Sequence, residues 1–131
     1  MVQEISSKAE FVTRIAEGID DERKDRLIVL DCYATWCGPC RAIAPKIIQF
    51  SQDYPDVEFY KMDVDTVTDV AGDLGVRAMP TFYFYKGGKK IDEVVGADTS
   101  AIKAKIEKYR GGAAAAAAAV DAKNDVEIEE A

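Results

Sequence analysis

The run Leu27-Ile28-Val29-Leu30, which continues to Ala34 with Asp31 as its one charged member, constrains this chain more than any other feature. A strand with one wet face alternates apolar and polar residues. A run without alternation predicts a strand covered on both faces, as in the middle of a parallel sheet. Parallel neighbours need crossover connections, so helical patterns should separate the strands.

Those patterns are present. Ser7 followed by Glu10 is a capping-box signature. Phe11, Ile15 and Ile19, with Val12 and Ala16 beside them, predict a helix from about Lys8 to Ile19, ended by Gly18 and the charged run Asp20 to Asp25. After the apolar run, Cys40, Ile43, Ala44, Ile47 and Ile48 share a helical stripe, and Pro45 within it predicts a kink. Val57 to Val64 reads as a strand. Asp65 could cap a short helix carrying Val67, Val70, Ala71 and Leu74, closed by Gly75.

Thr81 to Tyr85 is strongly strand-like, Lys86-Gly87-Gly88-Lys89 makes a turn, and Ile91 to Val95 returns antiparallel. A last helix carries Ile102, Ile106 and Tyr109 and stops at Gly111-Gly112. With a short first strand near Gln3 to Ile5, the fold class is α/β. A central mixed five-stranded sheet is expected, mostly parallel with an antiparallel edge hairpin and flanked by four helices. Residues 1–110 form one domain on this reading. Residues 111–131, with seven alanines from Ala113 to Ala119 and an acidic end, form a tail expected to be flexible; a docking tail is the alternative.

At the end of the buried run, Trp36-Cys37-Gly38-Pro39-Cys40 leads into the second helix. Two cysteines two residues apart at a strand-to-helix junction are a redox candidate. A helix N-terminus offers unsatisfied N–H groups and a partial positive charge, which favour thiolate over thiol. That lowers the pKa of Cys37. Cys40 sits one turn inside on the apolar stripe and should be the more buried. An exposed thiolate beside a shielded thiol suits disulfide exchange. Pro39 pre-sets the first turn, and Gly38 leaves room for another backbone. The alternative is a structural pair or half of a zinc site. The chain has three cysteines and no histidine, so neither a four-cysteine nor a histidine-completed zinc site can form, and Cys-His hydrolases are excluded.

The net charge is −7, with five acids against one lysine between Asp121 and Glu130. Such a chain is a poor partner for nucleic acid or an anionic membrane. No apolar run approaches the ~20 residues that span a bilayer. Met1 to Ser7 lacks the basic start and apolar core of a signal peptide, so a cytoplasmic location is expected, where thiols stay reduced.

The segment from Leu30 to Arg41 resembles the active-site segment of cytosolic thioredoxins. Asp63-Val64-Asp65, Gly75 to Thr81, Gly87-Gly88 and Val95-Gly96-Ala97 fall where that family has its other landmarks. The resemblance runs from about Val2 to Arg110. The tail departs from it, and Cys32 stands where an aromatic residue is more usual. The resemblance implies a protein-disulfide reductase. Cys37 would attack a substrate disulfide and Cys40 would resolve the mixed disulfide. A separate flavin- and NADPH-dependent thioredoxin reductase would restore the dithiol, with no cofactor bound by this chain. Implied substrates are peroxiredoxins, ribonucleotide reductase and methionine sulfoxide reductases, and a monomer is expected.

Supporting roles come from the residues themselves, and from the same resemblance for the Lys61–Asp31 pairing, the cis Pro80 and the Met79 backbone. Asp31 shares a strand face with Leu27, Val29 and Tyr33; burial should raise its pKa, which suits a proton acceptor for Cys40. A structural, hydrogen-bonded Asp is the alternative. Lys61 shares a face with Val57 and Phe59 and should point to the apolar side, paired with Asp31, unless it snorkels to the surface. Pro80 is expected in a cis peptide opposite the cysteines, and the Met79 backbone should pair with substrate in a strand-like way. The alternative is a simple strand-entry proline. Trp36, Gly38, Pro39, Met79 and Gly96 would form a flat docking patch, although Trp36 could instead be a core aromatic. Cys32 points to the opposite sheet face and reads as a small buried hydrophobe, with a regulatory thiol as the alternative; it should not bridge to Cys37.

Two competing functions remain. One is an oxidase, isomerase or glutathione-linked glutaredoxin, which usually has His or Tyr between the cysteines where this chain has Gly38-Pro39. The other is a binding module that holds a partner without turnover.

Overall fold

Covering both faces of a strand takes strands on each side and helices above and below, and the chain supplies all four. The computed structural model describes residues 1–17 and 20–111. The apolar run forms β2 (Ile28–Tyr33), buried along nearly its whole length. Its neighbours are β3 (Glu58–Asp63), parallel, and β4 (Thr81–Lys86), antiparallel. The edges are β1 (Val2–Ile5), parallel to β3, and β5 (Lys89–Val95), antiparallel to β4, giving the order β1-β3-β2-β4-β5. The sheet is mixed, as expected. Four strands run one way, and β4 opposes both its neighbours, so the reversal begins beside the central strand and not only at the edge.

The helices divide between the faces. α2 (Gly38–Asp53) and α4 (Thr99–Tyr109) cover Leu27, Val29, Phe59, Phe82 and Phe84 with Ile43, Ile47, Phe50, Ile102 and Ile106. α1 (Lys8–Phe11), its π-helical continuation Val12–Ala16 and α3 (Thr68–Leu74) cover Ile28, Leu30, Cys32, Tyr60 and Met62. Each large side chain removed from water here contributes about 1.5–3 kcal/mol.

Local chemistry sets the element ends. Ser7 Oγ accepts the Glu10 N–H at 3.2 Å, while Glu10 Oε1 accepts from Ser6 N–H at 2.7 Å. The first helix is not a uniform α-helix. After Phe11 the bonding widens, so that Glu17 N–H reaches Val12 O at 2.7 Å, yet Ile15 still lands in the core. The predicted end at Ile19 lies outside the described residues, as does the tail beyond Gly111. α3 closes on Gly75 at φ 73°, a left-handed turn open to glycine at little cost. Gly87 and Gly88, both at positive φ, join β4 to β5, with a register shift between Phe84 and Tyr85.

Two expectations are corrected. Ala44 and Ile48 are exposed, Ile48 at 51%; α2 presents Cys40, Ile43, Ile47, Phe50 and Ser51 to the interior. The sheet meets one narrow side of this helix, and residues one position off that line turn outward. Asp65 does not cap α3, whose N-cap is Val67 without a side-chain bond. Asp65 is engaged elsewhere.

Candidate functional site

β2 delivers the chain to the site. Ala34 O accepts the Cys37 N–H at 3.1 Å, which turns the backbone into α2. Cys37 is the N-cap of that helix, with extended backbone, and its Sγ accepts the Cys40 N–H at 3.2 Å. Sulfur here does what Ser or Asp oxygen does at other helix starts: it meets an N–H with no intrahelical partner. Pro39 occupies the first turn, where a missing N–H costs nothing. Gly38 is exposed, with no atom within 4 Å of where a Cβ would stand.

Cys37 and Cys40 are joined as a disulfide, their Cα atoms 5.3 Å apart. The two are equally covered, each 5% exposed. The expected contrast between an open first sulfur and a shielded second is therefore absent in this oxidised form. Bonding draws the two sulfurs together, and Ala34, Tyr33, Val64 and Met79 pack around the pair. What separates the cysteines is position: Cys37 caps the helix and Cys40 lies within it.

The segment before β4 faces the disulfide. The Met79–Pro80 peptide is cis, and the Met79 carbonyl oxygen lies 3.6 Å from Cys37 Sγ. Met79 is half-buried and Pro80 buried. Pro80 O accepts the Gly96 N–H at 2.8 Å, and Gly96 turns there at φ 99°. Trp36 is 64% exposed, which excludes the core alternative. Its indole Nε1–H donates to Asp65 Oδ2 at 2.8 Å, the engagement that takes Asp65 from α3. Sequence reasoning missed this role of Asp65, although Asp63-Val64-Asp65 marked the place.

Beneath α2, Asp31 is buried and its Oδ1 has no protein hydrogen-bond partner. Burial pushes its carboxyl up to about 7; nearby Lys61 opposes that rise and Glu4 adds to it. Asp31 lines an open groove of about 450 Å³ with Ala44, Ile47, Ile48 and Lys61. Lys61 stands opposite Asp31 in the β2–β3 register, as its strand face predicts. Its ammonium does not turn inward, however. The side chain is half-exposed, pairs with Glu4 at 3.7 Å and lies over the Tyr33 ring at 5.7 Å. A long flexible stem lets the charge reach water from an apolar face. Tyr33, expected on the face of Asp31, and Glu4, which the sequence did not single out, thus belong to the surroundings of Asp31.

Cys32 faces away from the disulfide into the α1–α3 layer, fully buried, and burial pushes its thiol far up. Among the described residues no group of three or more His, Cys, Asp or Glu side chains could hold a metal ion, and no helix is long and apolar enough to cross a membrane.

The family model for thioredoxin matches residues 2–108. Thioredoxin-2 of Saccharomyces cerevisiae is 50% identical over 103 residues, covering 79% of this chain and 93% of its own. The crystal structure of thioredoxin NaTrxh from Nicotiana alata superimposes with a TM-score of 0.76 at 41% identity, covering 84% of this chain and 93% of its own. A chain solved in work on the thiol resolving mechanism of yeast mitochondrial 1-Cys peroxiredoxin via glutathione/thioredoxin systems gives 0.72 at 36% identity, covering 82% and 94%.

Proposed function

The chain belongs to the thioredoxin family and is a protein-disulfide reductase working through the reversible Cys37/Cys40 pair, and from that premise we propose how its residues divide the reaction. The observation that carries the proposal is the sulfur of Cys37 at the N-cap of α2, bonded to a Cys40 that lies inside the same helix.

In the dithiol form, the helix N-terminus favours the Cys37 thiolate. The thiolate attacks one sulfur of a substrate disulfide; the Cys37–substrate bond forms, the substrate S–S bond breaks, and the departing thiolate takes up a proton. Cys40 then gives its proton to Asp31 and attacks Cys37 Sγ. The Cys37–Cys40 bond forms and the second substrate sulfur leaves, to be protonated in turn. Two electrons and two protons pass from the dithiol to the substrate, and this chain ends oxidised.

Asp31 suits the acceptor role because its carboxyl, raised to about 7, lies where proton exchange at neutral pH is most effective. Its place on the sheet face that α2 covers supports the same reading. Lys61 acts on Asp31 through its charge. Trp36, Gly38, Pro39, Met79, Pro80 and Gly96 form the docking surface, and an extended substrate segment lies along the Met79 backbone next to Cys37. The open space at Gly38 and the exposure of Trp36 support this surface.

The partners we propose are a thioredoxin reductase, which brings electrons from NADPH through its own flavin, and disulfide-bearing proteins. Peroxiredoxins are favoured by the yeast neighbour above; ribonucleotide reductase and methionine sulfoxide reductases follow from the family. No cofactor is held by this chain, which works as a monomer in the cytoplasm, with residues 1–110 as the working domain.

An NADPH-coupled insulin-reduction assay tests the proposal. Steady NADPH consumption that needs both cysteines is expected, with a Cys37/Cys40 potential well below that of glutathione. A chain that binds partners but gives no rate, or a strongly oxidising potential, refutes it.

A further inference from the structure

Three strands place three charges in one transverse row. The register sets Glu4 of β1 opposite Lys61 of β3, and Lys61 opposite Asp31 of β2. Residues opposite one another share a sheet face, so the row reads anion, cation, anion. Lys61 has a carboxylate on either side and can serve one at the expense of the other.

The structure resolves that competition in favour of the edge strand. Lys61 Nζ is 3.7 Å from Glu4 Oε1. Glu4 is itself held: its Oε2 accepts the Tyr33 hydroxyl at 2.8 Å, and the Tyr33 ring lies under the Lys61 ammonium. Tyr33 follows Asp31 by two on β2, hence on the same face. Asp31 keeps a buried oxygen without a protein partner.

We propose that Glu4 is a positioning residue: by pairing with Lys61 while anchored on Tyr33, it draws the ammonium off Asp31 and leaves the buried carboxylate a stronger base toward Cys40.

The charges around Asp31 are few enough to follow individually. β1 contributes Glu4, which disfavours a second anion, and Met1, just ahead of β1, lines the same groove and carries the terminal ammonium, which favours one. β3 contributes Lys61, which favours one. β2 contributes Tyr33, neutral at physiological pH because burial and the bond to Glu4 raise its hydroxyl further. β4 offers Phe82 opposite Asp31, which carries no charge. α2 contributes Cys40, uncharged as a disulfide. A cation in direct contact lowers a carboxyl pKa by about 1–3 units, so the direction in which Lys61 leans decides whether burial prevails. The Glu4–Lys61 pair is itself half-exposed and contributes little to stability. Its effect is on where the ammonium sits.

Glu4→Gln is the informative change, because glutamine still offers Tyr33 an acceptor while releasing Lys61. The measurement is the titration of the Asp31 carboxyl by carbon NMR in the oxidised full chain, for wild type, Glu4→Gln, Lys61→Met and the double variant. The expected midpoint falls by about one pH unit in Glu4→Gln. With Lys61 already removed, the same change should move it by less than half as much. An unchanged midpoint, or an equal shift without Lys61, overturns the proposal. The consequence for catalysis rests on Asp31 being the proton acceptor; the titration does not. If the midpoint falls but the pH profile of mixed-disulfide resolution stays in place, Glu4 keeps its role and the reading of Asp31 as acceptor fails.

Discussion

Trp36 and Asp65 are joined by a 2.8 Å hydrogen bond from the indole Nε1 to the carboxylate, between the residue before Cys37 and the turn after β3. An indole that is 64% exposed has little packing to hold it, so this bond fixes its orientation. Asp65→Ala should free the ring. Since Trp36 is the chain's one tryptophan, fluorescence reports it directly: a changed emission maximum and lower anisotropy are expected. The stability loss should stay near 1 kcal/mol, the net scale of one ordinary hydrogen bond, because exposure to water offsets the extra strength of a charged acceptor. Unchanged emission would mean the ring is held by other contacts.

Asp31→Asn should stabilise the protein at alkaline pH. The Asp31 carboxyl titrates near 7 when folded against 3.8 as its ordinary value. A raised carboxyl pKa means that its stabilising contribution is complete below about 4 and is lost as pH climbs through 7. A gap of about three units corresponds to ~4 kcal/mol, reduced by any water entering the groove. Urea unfolding at pH 8 should find the variant more stable by about 2–4 kcal/mol, with the advantage shrinking toward pH 4. An advantage that grows on acidification would contradict the burial of this charge. The same variant should resolve mixed disulfides more slowly at pH 7.

Cys40→Ser leaves the first attack intact and removes the second. Incubated with oxidised substrate proteins, it should accumulate mixed disulfides through Cys37 that dithiothreitol dissolves. Cys37→Ser should accumulate none. Non-reducing electrophoresis distinguishes them, and equal trapping by both variants would remove the distinction between attacking and resolving sulfurs.

Gly88 and Gly96 both sit at positive φ, 81° and 99°, but in different surroundings. A Cβ on Gly88 would collide with the Ala16 carbonyl, which closes the π-helical segment against the β4–β5 turn, whereas one on Gly96 would meet no atom within 4 Å. Gly96→Ala should therefore lose only the backbone cost, about 1–2 kcal/mol, and Gly88→Ala more than that. Chemical denaturation should rank them so; the reverse order would refute the packing of the turn.

How much of this was readable in the sequence differs by residue. β2 was plain, because a strand buried on both faces abandons alternation. The N-cap sulfur was plain as well, since spacing alone places Cys37 before a helix and Cys40 one turn in. Ala44 and Ile48 were misplaced, because apolar character marks a stripe wider than the side the sheet touches. Asp65 was read locally as a cap; its actual partner is 29 residues away and becomes a neighbour only through the β2–β3 pairing. Lys61 was assigned to the correct face, but a strand period fixes where a side chain starts and not where four methylenes carry its charge. The strand period puts Tyr33 on the face of Asp31, but its bond to Glu4, and the part Glu4 plays, arise only from register between strands.

A capped helix end is a rigid mount. Cys37 is the N-cap of a packed sixteen-residue helix, so the reacting sulfur is presented by scaffold and not by a loop that must settle before use. With the docking proposed above, a partner need supply only an accessible sulfur–sulfur bond and a short stretch of extended chain. The protein can accordingly be indifferent to the architecture of whatever it reduces.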